Sequence, residues 1–221
     1  MPLAYENQLI GVFLFGLGVA TGRAAKSRPI QDAVSLLQQG PMDKPLGDLL
    51  LGNATRGCLI EFKRSRKTID SENEKREGIA RHIFSRAAVE VQDAATTGHL
   101  LCYPQPTLDG EIPLQMYPYF NSTQPMWKSF STFANAYLLG QAGARATPFR
   151  TYINELLKLA NASSGSGIIV TTDSKGQIVF QSVARLSDLK LTVSQHLGMT
   201  PPGASITQSI PPPSQGRGMR M

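Results

Sequence analysis

The sequence has little of what usually marks a catalytic centre. Its 221 residues include two cysteines, three histidines and one tryptophan. Cys58 and Cys102 sit inside the apolar runs GCLIEF and HLLCYP, with no CxxC spacing and no histidine at metal-ligand distance. That pattern excludes a disulfide framework, a zinc cluster and a thioredoxin-type motif, and leaves two buried free thiols as the expectation. His82 and His99 stand singly, so no Ser-His-Asp or Cys-His arrangement can be assembled from the order of residues. There is no GxxxxGK phosphate loop, no HExxH and no repeat of solenoid length. No apolar run reaches the ~20 residues that span a bilayer. The most apolar stretch, residues 9–20, follows Glu6 instead of a basic segment and reads as a core helix, so no membrane partner and a cytoplasmic location are expected. Without a secretion signal, the Asn-x-Ser/Thr triplets at Asn53, Asn121 and Asn161 carry no glycosylation message.

What is present is an ordinary globular composition, 41% hydrophobic and 17% charged, long enough for one well-buried domain. Lysine and arginine outnumber the acids 22 to 16, and the formal charge of +6 favours an anionic partner without naming it. From Gly198 the composition shifts to Pro, Gly, Ser and Gln, ending PPPSQGRGMRM. Residues 1–197 therefore read as a single domain and 198–221 as a flexible tail.

Within the domain, residues 4–22 read as a first helix in which Gly11, Gly16, Gly18 and Gly22 imply close packing against another backbone. Residues 30–39 have the spacing of a short helix ended by Gly40-Pro41. From Asp48 to Phe62 two apolar runs flank a turn-rich segment, the signature of a hairpin buried on both faces. Ser71 and Glu74 form a capping-box pattern ahead of a helix whose stripe, Ile79, Ile83, Ala87 and Val91, carries to about Asp93. HLLCY predicts a strand, and Leu114 to Tyr119 another, broken by Pro118. Helices are expected over 125–142 and 148–161, a second hairpin over 167–183 and a last short helix over 187–197. Tyr117, Tyr119, Phe120 and Trp127 are expected in the core. The fold class is α/β, with a mixed central sheet flanked by helices.

One constellation carries chemistry. If Asn53, Ala54, Thr55 and Arg56 close the first hairpin, Gly52 pairs with Gly57 and Asp48 faces Glu61. Side chains alternate along a strand, so Lys63 projects on the face of both carboxylates. Directly opposed residues lie about 5 Å apart at Cβ, which forces two like charges together and is costly without a cation. Mg²⁺, or Mn²⁺ in its place, relieves the repulsion and keeps waters that a phosphate oxygen can replace. The lysine can stabilise the developing charge on a phosphodiester or, with a depressed pKa, help to deprotonate the attacking water. Arg64, Arg66 and Lys67 follow directly, where they could grip a nucleic-acid backbone.

The segment GDLLLGNATRGCLIEFK resembles the core of the PD-(D/E)xK nuclease superfamily, in which an acid on one strand and ExK on the next bind metal between flanking helices. The resemblance covers roughly residues 4–103 and implies a restriction-endonuclease-like fold. It implies Asp48 and Glu61 as metal ligands and Lys63 as the catalytic lysine, with Glu6 matching an additional acid carried by many members. It also implies hydrolysis of nucleic acid, DNA foremost. Gly47 stands where many members have proline, and the downstream Gln-and-Tyr signature of exonuclease-like branches is missing. Two competing expectations remain. One is a catalytically inactive module of this fold that binds nucleic acid or protein. The other is an interaction protein whose glycine-rich first helix docks to another subunit, a homo-oligomer included, or to a membrane.

Overall fold

The structure is a computed structural model, and it describes residues 5–24, 33–36, 47–52, 55–105, 113–159, 164–172 and 178–185. The expected last helix (187–197) and the tail lie outside the described residues, as do Asn53 and Ala54 of the hairpin loop.

The chain begins with α1 (Glu6–Ala24), then β1 (Ala33–Leu36), β2 (Leu49–Gly52) and β3 (Arg56–Phe62). A 3-10 helix (Arg66–Glu72) leads into α2 (Asn73–Arg86) and α3 (Val89–Gly98). β4 (His99–Pro104), β5 (Leu114–Pro118), α4 (Phe130–Leu138), the short β6 (Ala144–Arg145) and α5 (Ala146–Leu159) follow, and β7 (Ser164–Thr172) and β8 (Ile178–Arg185) close the described chain. The strands form one open mixed sheet in the order β5-β4-β3-β2-β1-β7-β8, with β6 paired to β3 off that path. β3 and β4 are parallel, and the other pairs are antiparallel.

β2 and β3 are apolar on both faces because both faces are covered. On one side Leu50 and Leu59 pack with Ile79 and Ile83 of α2, Val91 and Ala95 of α3 and Phe149, Tyr152, Ile153 and Leu156 of α5. On the other, Leu49, Leu51, Cys58, Ile60 and Phe62 pack with Leu9, Phe13 and Leu17 of α1 and Phe133 and Tyr137 of α4. The result is a helix–sheet–helix sandwich in which alternate residues of one strand belong to opposite cores. Cys58 and Cys102 are free and buried as expected, and burial pushes the Cys58 thiol up to about 12. Tyr117 and Tyr119 are also in the core, with Phe120 and Trp127 packed against it.

Four expectations are corrected. Residues 33–36, expected within a helix, are strand β1, held between β2 and β7 by ladders on both sides; local spacing yields to the pairing of two neighbours. The helix expected to run on to Asp93 breaks at Ala87 and Ala88, both extended, with ψ of 155° and 154°. No Gly or Pro announces that break, and the Gln92 side-chain amide donates to the Ala87 carbonyl at 2.8 Å. The helix expected to be capped by Ser71 starts at Asn73 and continues from the 3-10 helix, with Glu72 in the cap position. The helix expected from residue 125 starts at Phe130, where the Ser129 hydroxyl accepts the Thr132 amide. The other expected elements within the described residues fall near where the sequence places them, including the hairpin of β7 and β8 and Pro118 at the end of edge strand β5, whereas the short strand β6 and the 3-10 helix were not expected.

Candidate active site at the end of the first hairpin

The register of the hairpin decides which side chains meet. β2 and β3 pair Gly52 with Gly57, Leu51 with Cys58, Leu50 with Leu59 and Leu49 with Ile60, and the ladder ends there, with Asp48 and Glu61 next along each strand. The far end of the hairpin is anchored: the Ala146 amide donates to Thr55, and the Arg56 guanidinium donates to the carbonyls of Gly140 and Gly143 at 2.9 Å. At the site end, Gly47 turns the chain into β2 with φ +71°, and a Cβ there would lie 3.0 Å from Glu61 Oε2. The Asp48 amide donates to the Ile60 carbonyl at 3.1 Å, and the Asp48 carboxylate accepts the Phe62 amide at 2.7 Å. β3 then ends: the Lys63 amide donates to Cys102 on β4, and Lys63 shares with Glu61 the face covered by α2, α3 and α5. This is the carboxyl end of the one parallel pair among the described residues, the usual place for a site in an open α/β sheet.

Two residues that the sequence reading did not single out complete the arrangement. Lys63 Nζ lies 2.8 Å from Glu61 Oε1 and 2.8 Å from Glu72 Oε1, while Lys75 Nζ lies 3.1 Å from Glu61 Oε2 and 3.2 Å from Glu72 Oε2. Four charges of alternating sign thus form a closed ring, and the Glu61 and Lys63 side chains keep 6% and 10% of their exposure. The Tyr119 hydroxyl donates to Glu72 at 3.1 Å, and Tyr119 stacks on the buried, neutral His99, whose Nδ1 meets the Tyr152 hydroxyl at 2.6 Å. His99 is therefore a core residue. The only advance signal for Glu72 and Lys75 was their i,i+3 spacing. Four acids stand between residues 70 and 77, and the direction of the 3-10 turn decides which one faces the sheet.

The two kinds of charge respond in opposite directions. Burial works against the Lys63 ammonium, but Glu61 and Glu72 outweigh it and hold its pKa above the ordinary lysine value. Burial also opposes the Glu72 carboxylate, yet Lys75 and Lys63 keep it below its usual range. Asp48 lies outside the ring. Desolvation, then the Glu61 charge and at longer range Glu6, push its carboxyl from 3.8 up to about 7, against the pull of the Phe62 amide and Lys63.

The chain matches no protein-family model, no curated protein and no solved structure. The residues must therefore speak for themselves. Asp48, Glu61 and Lys63 share one end of one hairpin, and Glu6 is near enough for its charge to act on Asp48. Arg64 lies over the Tyr5 ring at 4.8 Å, tying the strand exit to the start of α1, whereas Arg66 and Lys67 are exposed on the 3-10 helix. Among the described residues no group of three or more His, Cys, Asp or Glu forms a metal cage. Mg²⁺ does not need one, since it is commonly held by one or two carboxylates with water completing the shell. A desolvated carboxyl pushed up by a neighbouring acid fits such an ion. Among the described residues no helix is long and apolar enough to cross a membrane.

Proposed function

We propose that the protein is a Mg²⁺-dependent phosphodiesterase acting on nucleic acid, DNA foremost, with a PD-(D/E)xK-type site in a restriction-endonuclease-like fold. The observation that supports this reading is the end of the first hairpin, where the last pair, Leu49 with Ile60, leaves Asp48 and Glu61 next along their strands and Lys63 bonded to Glu61. Asp48 and Glu61 would hold Mg²⁺ or Mn²⁺, with Glu6 as support. Bound there, the ion supplies Lewis acidity toward a phosphate oxygen and lowers the pKa of a water.

The side chains do the rest. With its pKa above the ordinary value, Lys63 keeps its proton and acts as a fixed positive charge toward a phosphate, which removes the role of base that a depressed pKa would have given it. Asp48 offers a carboxylate only once its proton is lost, so activity is expected to rise through about pH 7. Glu72 keeps Lys63 and Lys75 at fixed distances from Glu61, and so orients the two ammonium groups. Arg66 and Lys67, exposed beyond the strand exit, would contact the phosphate backbone.

A specific observation favours a second reading, the catalytically inactive module. Both Glu61 oxygens already carry ammonium partners, and the ring is neutral without any metal. Cleavage of plasmid and single-stranded DNA in Mg²⁺, Mn²⁺ or EDTA separates the two, with Lys63→Ala and Asp48→Asn as controls. The nuclease reading expects metal-dependent cleavage lost by about a thousandfold in Lys63→Ala. Equal cleavage by wild type and variant would defeat it, and DNA binding without cleavage under any metal would establish the module.

A further inference from the structure

Both carboxylate oxygens of Glu61 are already bonded, Oε1 to Lys63 at 2.8 Å and Oε2 to Lys75 at 3.1 Å. A divalent cation that takes Glu61 as a ligand therefore meets a resident ammonium first, and the two ammonium groups are not held equally. Lys63 leaves the end of β3, keeps 10% of its side-chain exposure and meets both of its acids at 2.8 Å. Lys75 keeps 20% and meets the same two acids at 3.1 and 3.2 Å. It stands in the first turn of α2, where the helix dipole favours an anion, so its position depends on Glu61 and Glu72. Its four-carbon stem can swing toward solvent by rotation about single bonds, without movement of the backbone. The oxygen it holds is also the one turned toward the start of β2: a Cβ on Gly47, the residue before Asp48, would lie 3.0 Å from Glu61 Oε2.

We propose that Lys75 is a built-in counter-cation that holds Glu61 in the metal-free protein and yields it to Mg²⁺ or Mn²⁺, keeping Glu72 as its remaining partner. The inference rests on the reading of Asp48 and Glu61 as metal ligands and adds to it a competition for one oxygen. A buried carboxylate without a counter-charge is costly, and the Glu61 side chain keeps only 6% of its exposure. An ammonium on a flexible stem supplies that charge while no metal is bound, and the free energy of displacing it lowers the apparent metal affinity. Lys63 stays with Glu61 Oε1 and Glu72 Oε1 in both states, so the exchange leaves in place the amine assigned to the phosphate. Glu72 then has a defined task, which is to keep the displaced ammonium at the edge of the site, from where it returns when metal leaves.

Two measurements on the full chain test the proposal, and neither reads catalysis. The first is Mn²⁺ affinity by titration calorimetry. Lys75→Met is expected to bind Mn²⁺ roughly tenfold tighter than wild type, the change that follows if Lys75 leaves Glu61 free about a tenth of the time. Arg81→Met removes an exposed charge farther along α2 and should change the affinity by less than about twofold. Circular dichroism checks that each variant is folded. The second needs no variant: the wild-type lysines are acetylated with acetic anhydride and read by mass spectrometry. Saturating Mg²⁺ should raise the labelling of Lys75 severalfold and leave Lys63 protected. Wild type that binds Mn²⁺ with Lys75→Met no tighter overturns the proposal while the metal-site reading stands, as does Lys75 labelling that bound Mg²⁺ leaves unchanged. Absence of Mn²⁺ binding in wild type and Lys75→Met alike defeats the metal-site reading and the proposal with it. Binding that survives Asp48→Asn places the ion elsewhere and overturns both.

Discussion

Lys63 and Glu72 meet at 2.8 Å, an ammonium from the end of a strand and a carboxylate from the end of a 3-10 helix. The contact joins the hairpin carrying the candidate site to the helical layer above it, and it makes the charge on Lys63 a property of two elements instead of one. Removing Glu72 is therefore expected to cost more than an exposed ion pair would. Glu72→Ala should destabilise the fold by about 2 kcal/mol, because two partly buried ammonium groups are left with Glu61 alone. Urea unfolding measures this, and a Glu72/Lys75 double-mutant cycle should show coupling above about 0.5 kcal/mol.

The raised pKa of Asp48 fixes the sign of a pH effect. Unfolded, its carboxyl ionises near 3.8; folded, it does so near 7. Between those values the native state binds more protons than the unfolded state, so stability falls as pH rises through that window. Asp48→Asn should flatten this slope and raise stability at pH 8 by about 2 kcal/mol, while abolishing metal uptake. Unfolding curves at pH 5 and pH 8, with and without Mg²⁺, provide the check; an unchanged slope in the variant would remove Asp48 as its cause.

The hairpin depends on a close approach at its other end. A Cβ on Gly57 would lie 2.1 Å from the ring of Phe149, which is fully buried. Gly57→Ala must displace that ring or the strand and should cost about 3 kcal/mol. If the hairpin positions the site, proposed activity should fall with it. A variant as stable as wild type would show that Phe149 can move.

Arg66 and Lys67 are exposed and follow the strand exit. If they contact phosphates, replacing each by alanine should weaken DNA binding regardless of sequence and lower the salt slope by about 1. Fluorescence anisotropy across a salt series reads this directly. Unchanged affinity at low salt would place the nucleic-acid surface elsewhere.

The sequence by itself determined the local chemistry of the first hairpin. Two glycine-bounded apolar runs around a turn-rich segment mark the hairpin, and a loop of residues 53–56 gives the register from Gly52–Gly57 to Leu49–Ile60 that the strands adopt. It also set the strand of HLLCYP and the two buried thiols, since these follow from composition over a few neighbouring residues. The tertiary structure alone decided what distant segments share. Residues 33–36 have helical spacing but become a strand, because β2 and β7 present open edges to them on both sides. Helices α2 and α3 break at Ala87 and Ala88 without a breaker residue, before α3 leads into β4. Glu72 and Lys75 close the charge ring for the same reason. Which acid of a polar helix start faces a sheet depends on how that helix lies across it, and no local pattern encodes the angle at which two layers pack.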